Sequence, residues 1–343
     1  MNHQGLSVIF SPVLAATRAL ALGVLLSLLG LHAKAVETVR VGVLAFGTVN
    51  WELQAMQNAG LDTAHGVQLQ VVPLASGDAS TVALQGGAVD VIVSDWLWVA
   101  RQRAAGKAFS FYPYSTAVGG IIVPANSPLR QLADLRGKRL GIAGGPQDKS
   151  WLLLRALAQQ TLGADLATMV TPQFAAPPLL NRLLEQGDLD AVLNFWHFGA
   201  RLQAQGMREL ISTQTAVREL GVGLELPLIG WVFDSKWAEQ HPAAIGGFLS
   251  ASYQTKALLA RDDQAWDGLR STMKAPNEAV FKALRDAYRA GTPHCFGAAQ
   301  REAADKAFAV FLAHGGAAMT GGLRQLDAQV FWPGPAPKAC QPL

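Results

Sequence analysis

The chain has 343 residues, half of them hydrophobic and 15% charged, with 28 basic side chains against 25 acidic ones. That is enough for a packed core and for more than one domain. The near balance of charge excludes a basic footprint for nucleic acid or anionic lipid, and 34 glycines and 17 prolines without a period exclude a fibre.

At the N-terminus, Arg18 precedes an apolar run from Ala19 to Leu31, and Ala33-Lys34-Ala35 sets small residues around a cut before Val36. A positive residue, an apolar stretch too short to span a bilayer and an A-x-A site predict a secretory signal over 1–35, cleaved near Ala35. A membrane anchor is the competing reading. Cleavage removes Arg18 and Lys34 and leaves the mature chain close to neutral.

The mature chain then alternates strands and helices. Val39 to Leu44 reads as a strand, Asn50 to Gly60 as a helix, Val67 to Pro73 as a strand and Asp78 to Gly86 as a helix. Val89 to Ser94 is a strand, and Trp96 to Gly106 a helix stopped by glycine. This order predicts an α/β layer with parallel strands.

The same grammar restarts at Arg139-Leu140-Gly141-Ile142-Ala143. A helix follows from Lys149 to Thr161, a strand from Met169 to Thr171 and a helix from Pro178 to Gln186. A strand from Asp190 to Leu193 and a helix from Phe198 to Gly206 complete the unit. A shift of 100 places Gly87, Asp90, Trp96, Ala100, Arg101, Ala104 and Gly106 on identical residues. Arg40-Val41-Gly42-Val43 matches Arg139-Leu140-Gly141-Ile142 at a shift of 99. An echo this long is domain-sized, not a solenoid repeat. It predicts two related lobes, 36–120 with 232–343 and 121–231.

Two apolar extended pieces, 117–123 and 228–233, join the units. They predict a two-strand hinge at Gly119, Gly120, Gly230 and Trp231. Helices over 242–260, 262–273, 277–290 and 300–315 are expected to return and cover the first lobe. Near the end stand the only cysteines, Cys295 and Cys340. In an oxidising compartment they read as a disulfide closing a loop of about 45 residues; two buried thiols remain the alternative.

Catalytic signatures are missing: there is no G-x-S-x-G, H-E-x-x-H, C-x-x-C or P-loop, and Gly141 to Gly145 lacks the dinucleotide order. The histidines of the mature chain are scattered, so neither metal nor cofactor is expected. Ligands in α/β sheets collect beyond the carboxyl ends of the strands. Four such turns stand out. They carry Phe46, Thr48, Asn50 and Trp51; Ser94, Asp95 and Trp96; Gly145, Gln147, Asp148 and Trp151; and Asn194, Phe195 and Trp196. The tryptophans can stack on a ring or face a cation, or serve as core. Asn50, Ser94 and Asp148 can equally be helix caps.

At Gly119 to Val123, Ser127-Pro128, Leu132 to Gly141 and Leu152 to Leu157, the sequence resembles the nitrate/sulfonate/taurine family of ABC-transporter solute-binding proteins, and the thiamine-precursor binders with it. The resemblance implies a type II periplasmic-binding fold of two α/β lobes, a periplasmic location and delivery to an ABC permease and its ATPase. It implies a monomer without cofactor and adds Ser76 and Thr116 to the ligand loops. Asp95 and Trp96 depart from the family's small or polar residues, and no arginine lies in the four turns. An aromatic, heterocyclic or amine solute is therefore expected rather than an oxyanion. A secreted sensor of the same fold, or an enzyme of pyrimidine-precursor type, remains open.

Overall fold

The computed structural model describes residues 36–45, 47–223, 226–293 and 296–333. The expected signal, Phe46, Cys295 and Cys340 lie outside them. Among the described residues no helix is long and apolar enough to cross a membrane.

The first described strand, β1 (Glu37–Leu44), buries Val39, Val41 and Val43 and pairs in parallel with β2 (Val67–Leu74) and β3 (Val91–Asp95). Helices α1 (Val49–Asn58), α2 (Gly77–Gln85) and α3 (Trp96–Ala104) connect and follow these strands. Then β4 (Phe109–Ser115) forms the sheet edge. The second unit repeats this plan. Strand β6 (Arg139–Ile142) lies parallel between β7 (Thr171–Phe174) and β8 (Ala191–Phe195), with α4 (Lys149–Leu162), α5 (Pro177–Gln186) and α6 (Trp196–Ala204) in the matching places. Its edge is β9 (Arg208–Ser212), followed by α7 (Thr213–Glu219).

The fourth strand of each sheet is exchanged. Strand β5 (Gly119–Val123) leaves the first unit and inserts antiparallel between β8 and β9. Strand β10 (Ile229–Asp234) returns antiparallel between β3 and β4. The orders are β2-β1-β3-β10-β4 and β7-β6-β8-β5-β9, the same pattern twice. The sheets are thus mixed rather than parallel, because each receives one strand by crossover. Gly119 and Gly120 are ladder residues of β5, and Gly230 and Trp231 of β10, so the expected boundary at 231/232 falls inside a strand. The chain leaves the first sheet after Ser115 and re-enters it at Ile229.

The duplication extends to atoms. In the first unit the Arg40 backbone N–H donates to Asp90 Oδ2 at 2.8 Å and its guanidinium to Oδ1 at 2.6 Å. In the second, Arg139 does the same to Asp190 at 2.8 and 3.0 Å. Gly42 and Gly141 also correspond. A Cβ at Gly42 would stand 2.9 Å from Leu74 Cδ1, and one at Gly141 2.6 Å from Leu189 Cδ1, so both positions need glycine for close packing. The carboxylates differ in burial: the Asp90 side chain is 7% exposed and that of Asp190 32%. Replacing Asp90 with alanine is expected to cost about 2 kcal/mol, and Asp190→Ala about 1 kcal/mol, because the Asp90 carboxylate is buried while that of Asp190 is partly in solvent. Urea unfolding of the two variants checks this; equal losses would contradict it.

The C-terminal block differs from expectation in one respect. Helix α8 (Pro242–Arg261) covers the first sheet, but α9 (Glu278–Ala290) packs on α6, and α10 (Ala298–Thr320) packs on both α3 and α4. The reason is composition: α10 presents Ala304, Ala307, Phe308 and Phe311 to a core shared by Trp96, Leu97, Leu152 and Leu153. Segment 262–273 is two short helices rather than one.

Candidate functional site

The carboxyl ends of β1, β3 and β8 and the turn after β6 converge between the sheets, around a cavity of about 320 Å³. Its wall takes Thr48 and Val49, Ser94 and Asp95, Asp148 to Ser150, and Phe195 to His197 from the four turns. Ala117, Val118, Leu228 and Ile229 come from the two crossings. Most of this surface is apolar, with a few polar groups set into it, as in small-molecule pockets generally.

Five helices begin at this wall, and they begin differently. Asp95 caps α3, its Oδ1 accepting from the Trp98 N–H at 2.8 Å. Asp148 caps α4 by accepting from the Trp151 N–H at 3.1 Å. Ser76 caps α2 through the Ala79 N–H. Helices α1 and α6 start at Thr48 and Phe195 without a side-chain cap; in α1 the Asn50 and Trp51 N–H groups donate to the Gly47 and Thr48 carbonyls, so the start of α6 is the one with N–H groups left for other acceptors.

Charge in the cavity is nearly cancelled. Lys149 Nζ lies 3.0 Å from Asp95 Oδ2. Burial would push the Asp95 carboxyl up, but Lys149, the Trp98 N–H and Arg101 outweigh it and hold the carboxyl below its usual range. Burial raises Asp148, partly offset by the Trp151 N–H. His197 is pushed down to about 4 by burial, with Arg201 adding to the effect, so its ring is neutral at pH 7. Its Nδ1 is buried without a hydrogen-bond partner.

Of the residues expected from sequence, Thr48, Ser94, Asp95, Asp148, Phe195 and Trp196 stand in this wall. Three tryptophans do not. Trp51 and Trp151 occupy the third position of their helices, on the face packed into the core, at 4% and 2% exposure. Trp96 opens α3 but turns against Phe311 of α10 and is 1% exposed. Asn50 spends its amide on the Leu44 and Gly47 carbonyls, which holds its own turn. Asn194 is buried and donates to Asn181 Oδ1 and the Pro177 carbonyl. Thr116 bonds to the Gly291 carbonyl. Ser76, Gly145 and Gln147 lie outside the wall. Sequence reading missed Val118, Leu228 and Ile229. They sit at the strand crossings, and apolar crossings read as hinge rather than wall. Among the described residues no group of His, Cys, Asp or Glu gathers as a metal site.

The NMT1/THI5-like family model matches residues 57–265, more than half of the chain. A putative aliphatic sulfonates-binding protein of Escherichia coli (strain K12) is 27% identical over 221 residues, 62% of this chain and 65% of that protein. The chain therefore matches under two thirds of that curated relative's length. The alkanesulfonate-binding protein SsuA from Xanthomonas axonopodis pv. citri, solved bound to MOPS, is 20% identical with a TM-score of 0.66 over 86% of this chain and 98% of its own. The desulfurization enzyme DSZB shares the architecture at TM-score 0.54 and 18% identity, covering 85% and 95%. The expected fold class, two α/β lobes of periplasmic-binding type, is the one found. By the extent of the family match, the chain belongs to the NMT1/THI5-like family.

Proposed function

We propose that this chain is the periplasmic solute-binding component of an ABC importer, closing two lobes on a small organic solute. The observation that carries the reading is the cavity between the sheets, walled by matching strand-end turns of both units and by the crossings that join them. The binding reading is supported by a wall that is mostly apolar and whose fixed cation, Lys149, is paired with Asp95.

The solute we favour has an apolar body and is neutral or cationic: a heterocycle, an aromatic compound or an amine. Val43, Val93, Val118, Phe195 and Trp196 supply the apolar contact. Lys149, the wall's fixed cation, is already paired with Asp95, and Asp148 adds a second carboxyl. A free anion would meet little uncompensated positive charge. One observation favours a second reading, an organosulfonate: the uncapped start of α6 offers N–H donors to an oxyanion.

Titration calorimetry on the mature chain separates the two. The expected result is binding of an N-heterocycle or aromatic amine, with a melting shift equivalent to about 2.7 kcal/mol at a hundredfold excess over Kd. Binding of taurine or alkanesulfonates alone would overturn the ligand chemistry. A broad solute panel that never shifts the melting temperature would overturn the binding role.

A further inference from the structure

Asp95 and Lys149 belong to different lobes. Asp95 ends β3 of the first sheet, and Lys149 opens α4 behind β6 of the second. Their 3.0 Å contact therefore spans the cleft itself. The internal duplication shows that this pairing is not inherited by both units. The residues matching Lys149 and Asp95 at a shift of 100 are Val49 and Phe195, both apolar and both in the same wall. One side of the cleft is thus closed by charge. The other is closed by apolar contact: Trp196 of the second lobe stands edge-on to Trp51 of the first with centroids 5.8 Å apart, α9 packs on α6, and α10 packs on both α3 and α4.

Two neighbouring charges act on this pair: Arg101 attracts Asp95 and repels Lys149, and Asp148 attracts Lys149. Asp148, beside Lys149, directs an oxygen at the start of its own helix. Asp95 divides its work: Oδ1 caps α3 and Oδ2 meets Lys149. The side chains are 31% and 18% exposed, so ions in solution reach them. An opening of the lobes breaks this contact and leaves both caps intact. We propose that the Asp95–Lys149 pair is a lock that adds to these apolar contacts in holding the lobes closed, with Lys149 a positioning residue whose charge shifts the closed fraction and, through it, the apparent affinity. Closure is then salt-sensitive, since partly exposed pairs are screened at high ionic strength.

The closure arm stands without any ligand; the affinity arm rests on the binding role proposed above. Spin labels at Val82 on α2 and Leu179 on α5, both exposed and one on each lobe, read the interlobe distance by pulsed dipolar spectroscopy. The parent protein at low salt is expected to show a short, narrow distance that lengthens in 1 M salt. Lys149→Met and Asp95→Asn, the latter still able to cap α3, are expected to lengthen it at low salt and to lose the salt response. Lys149→Arg is expected to restore both. Apparent affinity in Lys149→Met should fall about fivefold to tenfold, following the closed fraction. A Lys149→Met distance and salt response identical to the parent's, in protein of unchanged circular dichroism, overturns the lock. A ligand screen without hits would instead count against the binding role alone.

Discussion

Glu52→Ala is expected to destabilise the protein by about 3–5 kcal/mol, among the largest losses available to a single side chain. Glu52 is fully buried in the first lobe, on α1. Its Oε2 accepts from Lys256 Nζ and from the Tyr288 hydroxyl, each at 2.5 Å, and its Oε1 from Ser252 Oγ at 2.5 Å. Trp231 Nε1 donates in turn to Ser252, and the ammonium lies 3.7 Å above the Tyr114 ring. Burial pulls Lys256 down and Glu52 opposes it. Without the carboxylate, three donors, one of them the Lys256 cation, are left in a dry core. A buried pair contributes little against an apolar replacement, while breaking one half of it is severe. Glu52→Leu combined with Lys256→Met should therefore recover most of the loss. Urea unfolding midpoints of the single and double variants decide it; a single-variant loss below about 1 kcal/mol would show the charge already neutral.

This network also explains how the lobe is set beneath the cleft. It ties α1, α8 and α9 to β4 and β10. Directly after α9, the Gly291 carbonyl accepts from the Thr116 N–H at the point where the chain crosses to the second lobe. Sequence could not show it. Glu52 and Lys256 are 204 residues apart, and each alone reads as an ordinary charge on a helix.

Other features were legible because they are local or repeated. The members of the Arg40/Asp90 and Arg139/Asp190 clamps were visible as identities at shifts of 99 and 100, since both units need the same strand start. The four strand-end turns were legible because glycine, cap residues and helix starts follow the backbone. The exchange of β5 and β10 was not, because an apolar crossing strand has the same pattern whichever sheet receives it. The tryptophans mark the limit most clearly. Four of them begin helices at equivalent sites, yet only Trp196 reaches the cavity. Which way the Trp96 and Trp196 rings face depends on α10 and α9, segments far along the chain. The aromatic case for the cargo therefore rests on Phe195 and Trp196 rather than on paired tryptophans from both lobes.

Trp196→Ala is accordingly the substitution expected to affect binding most. The ring stands in the wall of the main cavity and also in that of a second cavity of about 250 Å³ on the other side of Val118. It meets Trp51 at 5.8 Å and Tyr288 at 6.4 Å, both in the first lobe. Removing it takes away a wall residue of both cavities and the apolar closing contact at the same time. The expected loss is at least about 30-fold in affinity, or roughly 2 kcal/mol, for a solute identified by calorimetry. Trp51→Ala provides the contrast. Its ring is core, so it should cost about 3–5 kcal/mol of stability, whereas Trp196, partly exposed, should cost less. Trp196→Phe should also abolish most of the change in tryptophan emission on binding, while Trp96→Phe and Trp151→Phe should retain it. Full affinity in Trp196→Ala would place the solute elsewhere and remove the aromatic wall from the recognition of the ligand.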